Sequence, residues 1–249
     1  MKKSLRLFTI VLATTFMLCA CEDDKNYATL SQTYGEITDV AADGQYTILS
    51  DLNNTLVAIN SVKPSFELEK GQRIYAQIGI EDNHGAEKLV NVYYITKILT
   101  KAPIYFSEMT AAEQEEVGNA PIDVVDAWFS CGKYLNIKFA VLRNDSDTSH
   151  FINLKVDEEN STAERVIVEF RHNDYNETRL YRAYGLVSFE ISRLVPAGQD
   201  SVMIEIHWTD YNDTPTSVDG KFSLAESAEH TICHSGEVIT SDTYTNKDK

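Results

Sequence analysis

Tyr134-Leu135-Asn136-Ile137-Lys138-Phe139-Ala140-Val141 is the stretch whose reading decides the fold. Leu135, Ile137, Phe139 and Val141 fall on one side of an extended chain and Asn136 and Lys138 on the other. A period of two places the first set inward and the second outward, on a strand with one face in water. Working outward, the same alternation recurs at 151–156, 165–171, 185–191 and 202–208, and a short apolar run at 122–125 precedes it. No repeat of strand plus amphipathic helix accompanies these runs, which argues against a parallel α/β fold. The expectation is an antiparallel β-sandwich over residues 121–240, with a polar tail at 241–249.

Before Pro121 the pattern differs. Tyr34-Gly35-Glu36-Ile37 opens a series of short runs at 46–49, 55–59, 73–80 and 88–99, separated by turn formers such as Ala42-Asp43-Gly44 and Asn83-His84-Gly85. Ile74, Ala76, Ile78 and Ile80 share one face of the fourth run. Five short strands are too few for two packed sheets but suffice for a sheet curled into a small barrel without edges, expected over 32–101. Residues 102–120 break the β pattern. Between Pro103 and Pro121, the span 107–118 offers a capping serine or threonine, helix formers and a closing glycine, and reads as one short helix.

The amino terminus reads as an address. Lys2, Lys3 and Arg6 precede an apolar run from Leu7 to Leu18, the layout of a signal peptide at 1–20, and a run too short for a permanent membrane span. Leu18-Cys19-Ala20-Cys21 resembles the lipobox of bacterial lipoproteins. That resemblance implies cleavage before Cys21 and lipidation of its thiol; Cys19 fits less well, because Leu18 would occupy the position that needs a small side chain. Several acyl chains make a stable membrane anchor where one is marginal. Residues 21–31 form an acidic tether, and Glu22-Asp23-Asp24 resembles the export signal that carries some lipoproteins to the outer face of the outer membrane.

The chain carries 22 Lys+Arg against 38 Asp+Glu, a net charge of −16. The leader holds three of the bases and no acid, so the mature part is more acidic still. Nucleic acid and an anionic membrane surface are disfavoured as partners, because both need clustered bases. Past the leader and the lipidated Cys21, Cys131 and Cys233 are left. They read either as a disulfide, which an envelope location permits, or as two free buried thiols. Neither lies in a CxxC pattern.

Lipobox, curled barrel, linking helix and second β unit together resemble the NigD-like lipoproteins. The likeness is carried by Tyr34-Gly35-Glu36-Ile37, Lys70-Gly71-Gln72-Arg73-Ile74, Tyr134 to Phe139, His150 to Leu154, Arg171-His172-Asn173-Asp174 and Val187 to Ile191. It implies an N-terminal OB-type barrel, a C-terminal β-sandwich and a role in bacteriocin production or immunity. It supplies no catalytic residue, ligand or cofactor.

The residues themselves offer weak chemistry. His150, His172, Asp174 and His207 would make a zinc site only if the strands brought them together, and no HExxH or HxH spacing imposes that. The better reading is strand-end histidines bonded to backbone. No nucleophile elbow or phosphate loop occurs. Asp123 with Asp126, and Asp145 with Asp147, read as an acid pair or calcium ligands, or more simply as solvated carboxylates. Tyr93, Tyr94, Tyr175, Tyr181, Tyr184 and Tyr211 are candidates for outward rings that bind a glycan or peptide, although aromatics in β proteins are commonly core. The expectation is a non-enzymatic envelope lipoprotein, surface-displayed, binding a protein or glycan. Bacteriocin immunity is the alternative, and a surface hydrolase, which no motif supports, is third. Replacing Cys21 with serine should shift the chain from the membrane to the soluble or unprocessed fraction. Cell fractionation in which Cys21→Ser still tracks with the wild type would overturn the anchor.

Overall fold

The structure is a computed structural model that describes residues 30–85, 87–144, 148–225 and 231–234. Cys21, the leader, the first part of the tether, Asp145, Asp147 and the polar tail lie outside the described residues.

Five strands, β1 (Leu30–Val40), β2 (Tyr46–Ser50), β3 (Thr55–Ser61), β4 (Arg73–His84) and β5 (Glu87–Lys97), close into a barrel in the order β1-β2-β3-β5-β4. All neighbours are antiparallel except β3 and β5, an OB-type arrangement. Its core is the inward set Ile37, Ile48, Leu56, Ile74, Ala76, Ile78, Val90 and Val92. Gly35 is required by close approach: a Cβ there would stand 2.5 Å from Ile48 Cγ2 and 2.6 Å from the Leu49 carbonyl oxygen. Two departures from strict alternation matter. Ile80, expected inside, is 42% exposed, because the β4–β5 register shifts just beyond it. A second shift pairs Gln77 with Tyr94 but Ile78 with Val92, leaving Tyr93 as an extra residue in β5.

The barrel ends at Lys97 rather than at 101. Residues Leu99–Lys101 form β6, which already belongs to the second unit. A short 3-10 turn (Phe106–Glu108) and helix α1 (Ala111–Val117) follow. Thr110 and Glu113 make a reciprocal capping box at the start of α1, and Gly118, at φ 69°, ends it in a conformation that favours glycine.

The second unit comprises β7 (Asp123–Ser130), β8 (Tyr134–Arg143), β9 (Phe151–Val156), β10 (Arg165–Asn173), β11 (Tyr181–Glu190), β12 (Ser201–Thr209), β13 (Pro215–Ser223) and β14 (Thr231–His234). One sheet runs β13-β12-β10-β9 and the other β14-β7-β8-β11-β6. The sandwich is not wholly antiparallel: β10 pairs parallel with β12, and β6 parallel with β11. Leu135, Ile137, Phe139 and Val141 pack with Leu154, Val168, Phe170, Val187, Phe189, Ile204 and Phe222 between the sheets. At the β9 edge, Ile104 bridges in parallel to Lys155.

Asn136 is the instructive exception on β8. Its outward side is covered by the barrel, and the side chain is fully buried. Arg73, the first residue of β4, is likewise out of water and grips the Asp51 carboxylate with two bonds, Nη1 to Oδ1 at 2.6 Å and Nη2 to Oδ2 at 2.8 Å. The same guanidinium donates to Asn136 Oδ1 at 2.8 Å and to Ser188 Oγ at 3.3 Å, and lies 4.8 Å from the centre of the Tyr134 ring. Trp128 Nε1 donates to Asp51 Oδ2 at 2.7 Å. Burial opposes the charged guanidinium, but the Asp51 carboxylate outweighs it and raises the Arg73 pKa. Four strands and a turn from both units therefore meet at one ion pair. Removing one partner of a buried pair strands the other charge, so Arg73→Ala should cost about 3–5 kcal/mol and Arg73→Ala/Asp51→Ala less than the sum of the two single changes. Urea unfolding checks this, and a loss below about 1 kcal/mol would show that the pair behaves as a surface contact.

Candidate functional site

Two clusters gather some of the side chains singled out from sequence. The first lies where the C-terminal end of α1 meets the end of β10. His172 is fully buried, with Nδ1 3.0 Å from the Pro121 carbonyl oxygen and Nε2 2.8 Å from His150 Nδ1. His150 Nε2 in turn stands 3.0 Å from Glu177 Oε2. A carbonyl can only accept, so His172 Nδ1 donates to it and a neutral His172 presents Nε2 as acceptor to His150 Nδ1–H. Filling the remaining bond needs a further proton between His150 Nε2 and Glu177. Asp174 is engaged by Arg179 at 3.3 Å and by the Asn176 backbone N–H at 3.0 Å. His207 stays apart on β12, bonded to Glu205 at 2.8 Å. Two of the three histidines thus converge as a locked structural chain, with His172 bonded to backbone. Among the described residues no group of three or more His, Cys, Asp or Glu side chains is placed to hold a metal ion.

The other acidic and thiol candidates are spread out. Asp123 pairs with Arg182 at 3.0 Å and Asp126 with Lys138 at 4.0 Å. Cys131 is a free thiol at φ 54°, and burial pushes its pKa up to about 11. On β14, Cys233 lies opposite Ala127, four residues up β7 from Cys131. At roughly 3.3 Å per residue that separation exceeds the Cα span of a disulfide.

The second cluster is an aromatic band across the barrel exterior. The extra residue in β5 turns both Tyr93 and Tyr94 outward, 44% and 38% exposed, while Val92 and Ile95 on either side stay in the core. From Tyr94 the rings continue to Tyr75 at 6.1 Å between centres, Tyr34 at 5.3 Å and Trp128 of the sandwich at 5.4 Å. Lys138 Nζ lies 4.9 Å from the Tyr34 ring centre and 5.3 Å from that of Trp128. Gln77 donates to Tyr75 Oη at 3.4 Å. Burial, reinforced by Tyr75, Asp126 and Asp51, pushes the Tyr34 hydroxyl up to about 12, so it remains a neutral donor. Of the other tyrosines, Tyr175 and Tyr181 are exposed, Tyr184 lies under Arg182, and Tyr211 Oη accepts the Leu142 N–H at 2.6 Å. Tyr34, Tyr75 and Trp128 escape a sequence reading, since each sits at an ordinary outward strand position; only their pairing across two units joins them.

The two-part architecture defines a class: an OB-type barrel followed by a β-sandwich. Residues 104–222 match the NigD-like C-terminal β-sandwich domain, so the second unit of the chain is a domain of that kind. A solved structure from Parabacteroides distasonis, described as a candidate toxin-related protein, superposes with a TM-score of 0.67 at 22% identity, over 79% of this chain and 94% of that one. A NigD-like immunity protein from Bacteroides caccae does so with a TM-score of 0.60 at 17% identity, over 77% and 91%. A Bacteroides fragilis protein described as a candidate lipoprotein gives 0.57 at 12%, over 80% and 99%. These likenesses show the fold, and fold alone does not set function. None of the curated proteins compared with the chain matches it.

The histidine chain sets a pH dependence. Burial, then the nearby His150, hold His172 down at about 4 against an ordinary 6.5, and the Pro121 bond only partly offsets this. The fold therefore accepts the neutral ring. Its contribution is complete above the unfolded value of 6.5 and is lost as pH falls towards about 4, because only the unfolded chain gains the proton there. Stability should drop by on the order of 3 kcal/mol over that window through this residue. In urea unfolding across the same window, His172→Leu should flatten the slope whatever its absolute stability, and an unchanged slope would remove His172 as the cause.

Proposed function

We propose that the chain is a non-enzymatic lipoprotein of the bacterial cell envelope, held through a lipid on Cys21 and displayed at the outer surface, and that it binds a partner through the aromatic band of its barrel. The observation that carries this reading is the bulge that exposes two consecutive tyrosines. Leaving two large rings in water forgoes roughly 1.5–3 kcal/mol each of apolar burial, which strict alternation would have recovered for one of them. Bulges commonly re-aim side chains in this way beside binding sites. The most prominent buried polar groups are meanwhile engaged elsewhere, Arg73 and Asp51 in joining the two units and His172 and His150 in bracing the end of β10. The lipoprotein-like relative from B. fragilis supports the anchor, and among the described residues no helix is long and apolar enough to cross a membrane.

Bacteriocin immunity is a second reading, favoured by the likeness to the B. caccae immunity protein and by a net charge of −16 suited to intercepting a basic toxin. The face itself is tested by placing a photo-reactive phenylalanine analogue at position 93, or at position 219 on the far sheet of the sandwich, in intact cells. Illumination should yield an adduct staining for protein or glycan from position 93 and not from position 219. Equal adducts from both, or none from position 93, would remove the band as the binding face.

A further inference from the structure

The chemistry of the band selects its ligand, and resting on the reading of it as a binding face, we infer that it takes an uncharged oligosaccharide. Tyr75, Tyr93 and Tyr94 present rings with a hydroxyl at the rim, and Gln77 adds an amide between them. These are neutral groups in a chain of net charge −16, and the flanking ions, Lys138 and Asp126, balance each other at 4.0 Å. A charged ligand would find no net counter-charge here. A peptide strand would find no backbone to pair with along the middle of the band, because the Tyr75–Gln77 stretch of β4 is hydrogen-bonded to β1 on one side and to β5 on the other. A proline-rich helix docks between aromatic ridges with a ring N–H to anchor it, and the Trp128 indole N–H is already given to Asp51 at 2.7 Å. What remains is apolar ring surface bordered by hydroxyl and amide groups. That surface complements a sugar, whose C–H faces pack on rings while its hydroxyls exchange hydrogen bonds with the rim.

The spacing extends this to a chain of sugars. Successive rings from Tyr94 to Trp128 are 6.1, 5.3 and 5.4 Å apart, so the band offers several contacts in sequence, and Lys138 closes it at the sandwich end with ammonium donors. The site lies on β1, β4 and β5, away from the β2–β3 face.

Calorimetric titration of the purified full chain with maltohexaose, xylohexaose, mannohexaose, laminarihexaose and chitohexaose tests the inference, with a galacturonate oligomer and a proline-rich peptide as competing classes. At least one neutral hexaose should bind saturably and more tightly than its disaccharide. Tyr94→Ala should weaken it about tenfold or more, the loss typical of a central aromatic contact, whereas Tyr94→Phe retains most of the affinity and Asp219→Ala all of it. Circular dichroism melting checks that the variants remain folded. Binding by none of the neutral hexaoses, binding indifferent to Tyr94→Ala, or preference for the charged oligomer or the peptide would overturn the inference. If the sugars fail while the adduct from position 93 persists, the oligosaccharide is wrong and the face stands; if both fail, so does the face.

Discussion

A guanidinium taken out of water has to be met by a carboxylate and by further acceptors, and Arg73 finds them in different parts of the chain. Asp51 comes from the β2–β3 turn, Asn136 from β8 and Ser188 from β11, while Trp128 of β7 binds the same carboxylate. The desolvation of each ion is offset only when its bonds are made together, since a half-satisfied buried network is worse than an apolar one. Barrel closure, the packing of β7 and β8, and the seating of one unit on the other are therefore parts of a single condition. The aromatic band inherits this. Tyr34 touches Trp128 because the ion pair beneath holds β1, β4 and β7 in place.

Much of the fold was legible in the sequence, and the exceptions have definite causes. Alternation places Leu135, Ile137, Phe139 and Val141 inward because a sandwich core lies on one side of β8. It misplaces Asn136 because the barrel covers the other side, a fact that exists only once both units are folded. The Thr110 cap and Gly118 stop mark α1 because helix ends are set by local backbone chemistry. Strand β6 is too short to show a period, and β13, Pro-Thr-Ser-Val-Asp-Gly-Lys-Phe-Ser, is polar enough to pass for a loop because it is an edge. The candidate site was half legible. Tyr93 and Tyr94 stand out as a pair, but which one faces out is decided by a register shift that no alternation rule predicts, and the shift exposes both.

Histidines taught the opposite lesson. His150 and His172 do converge, yet into a chain that ends on a backbone carbonyl at one side and a carboxylate at the other. Proximity of titratable groups here serves cohesion: the segment after α1, the end of β10 and the turn holding Glu177 are drawn together by proton sharing. The chemistry is the same set of groups that a catalytic site would use, and only the saturation of every ring nitrogen distinguishes the two.

The residues just after the barrel have a mechanical meaning. Leu99–Lys101 lie parallel to β11 in one sheet, and Ile104 then bonds to β9 in the other, donating to the Leu154 carbonyl at 2.8 Å and accepting from the Val156 N–H at 2.9 Å. Tension between the barrel and the sandwich would run along this stitch. Strands drawn along their own length load their hydrogen bonds in shear, where several must yield at once, instead of peeling one after another. A protein tethered at one end and gripped at the other would transmit pulling force through its junction before the core of either unit felt it.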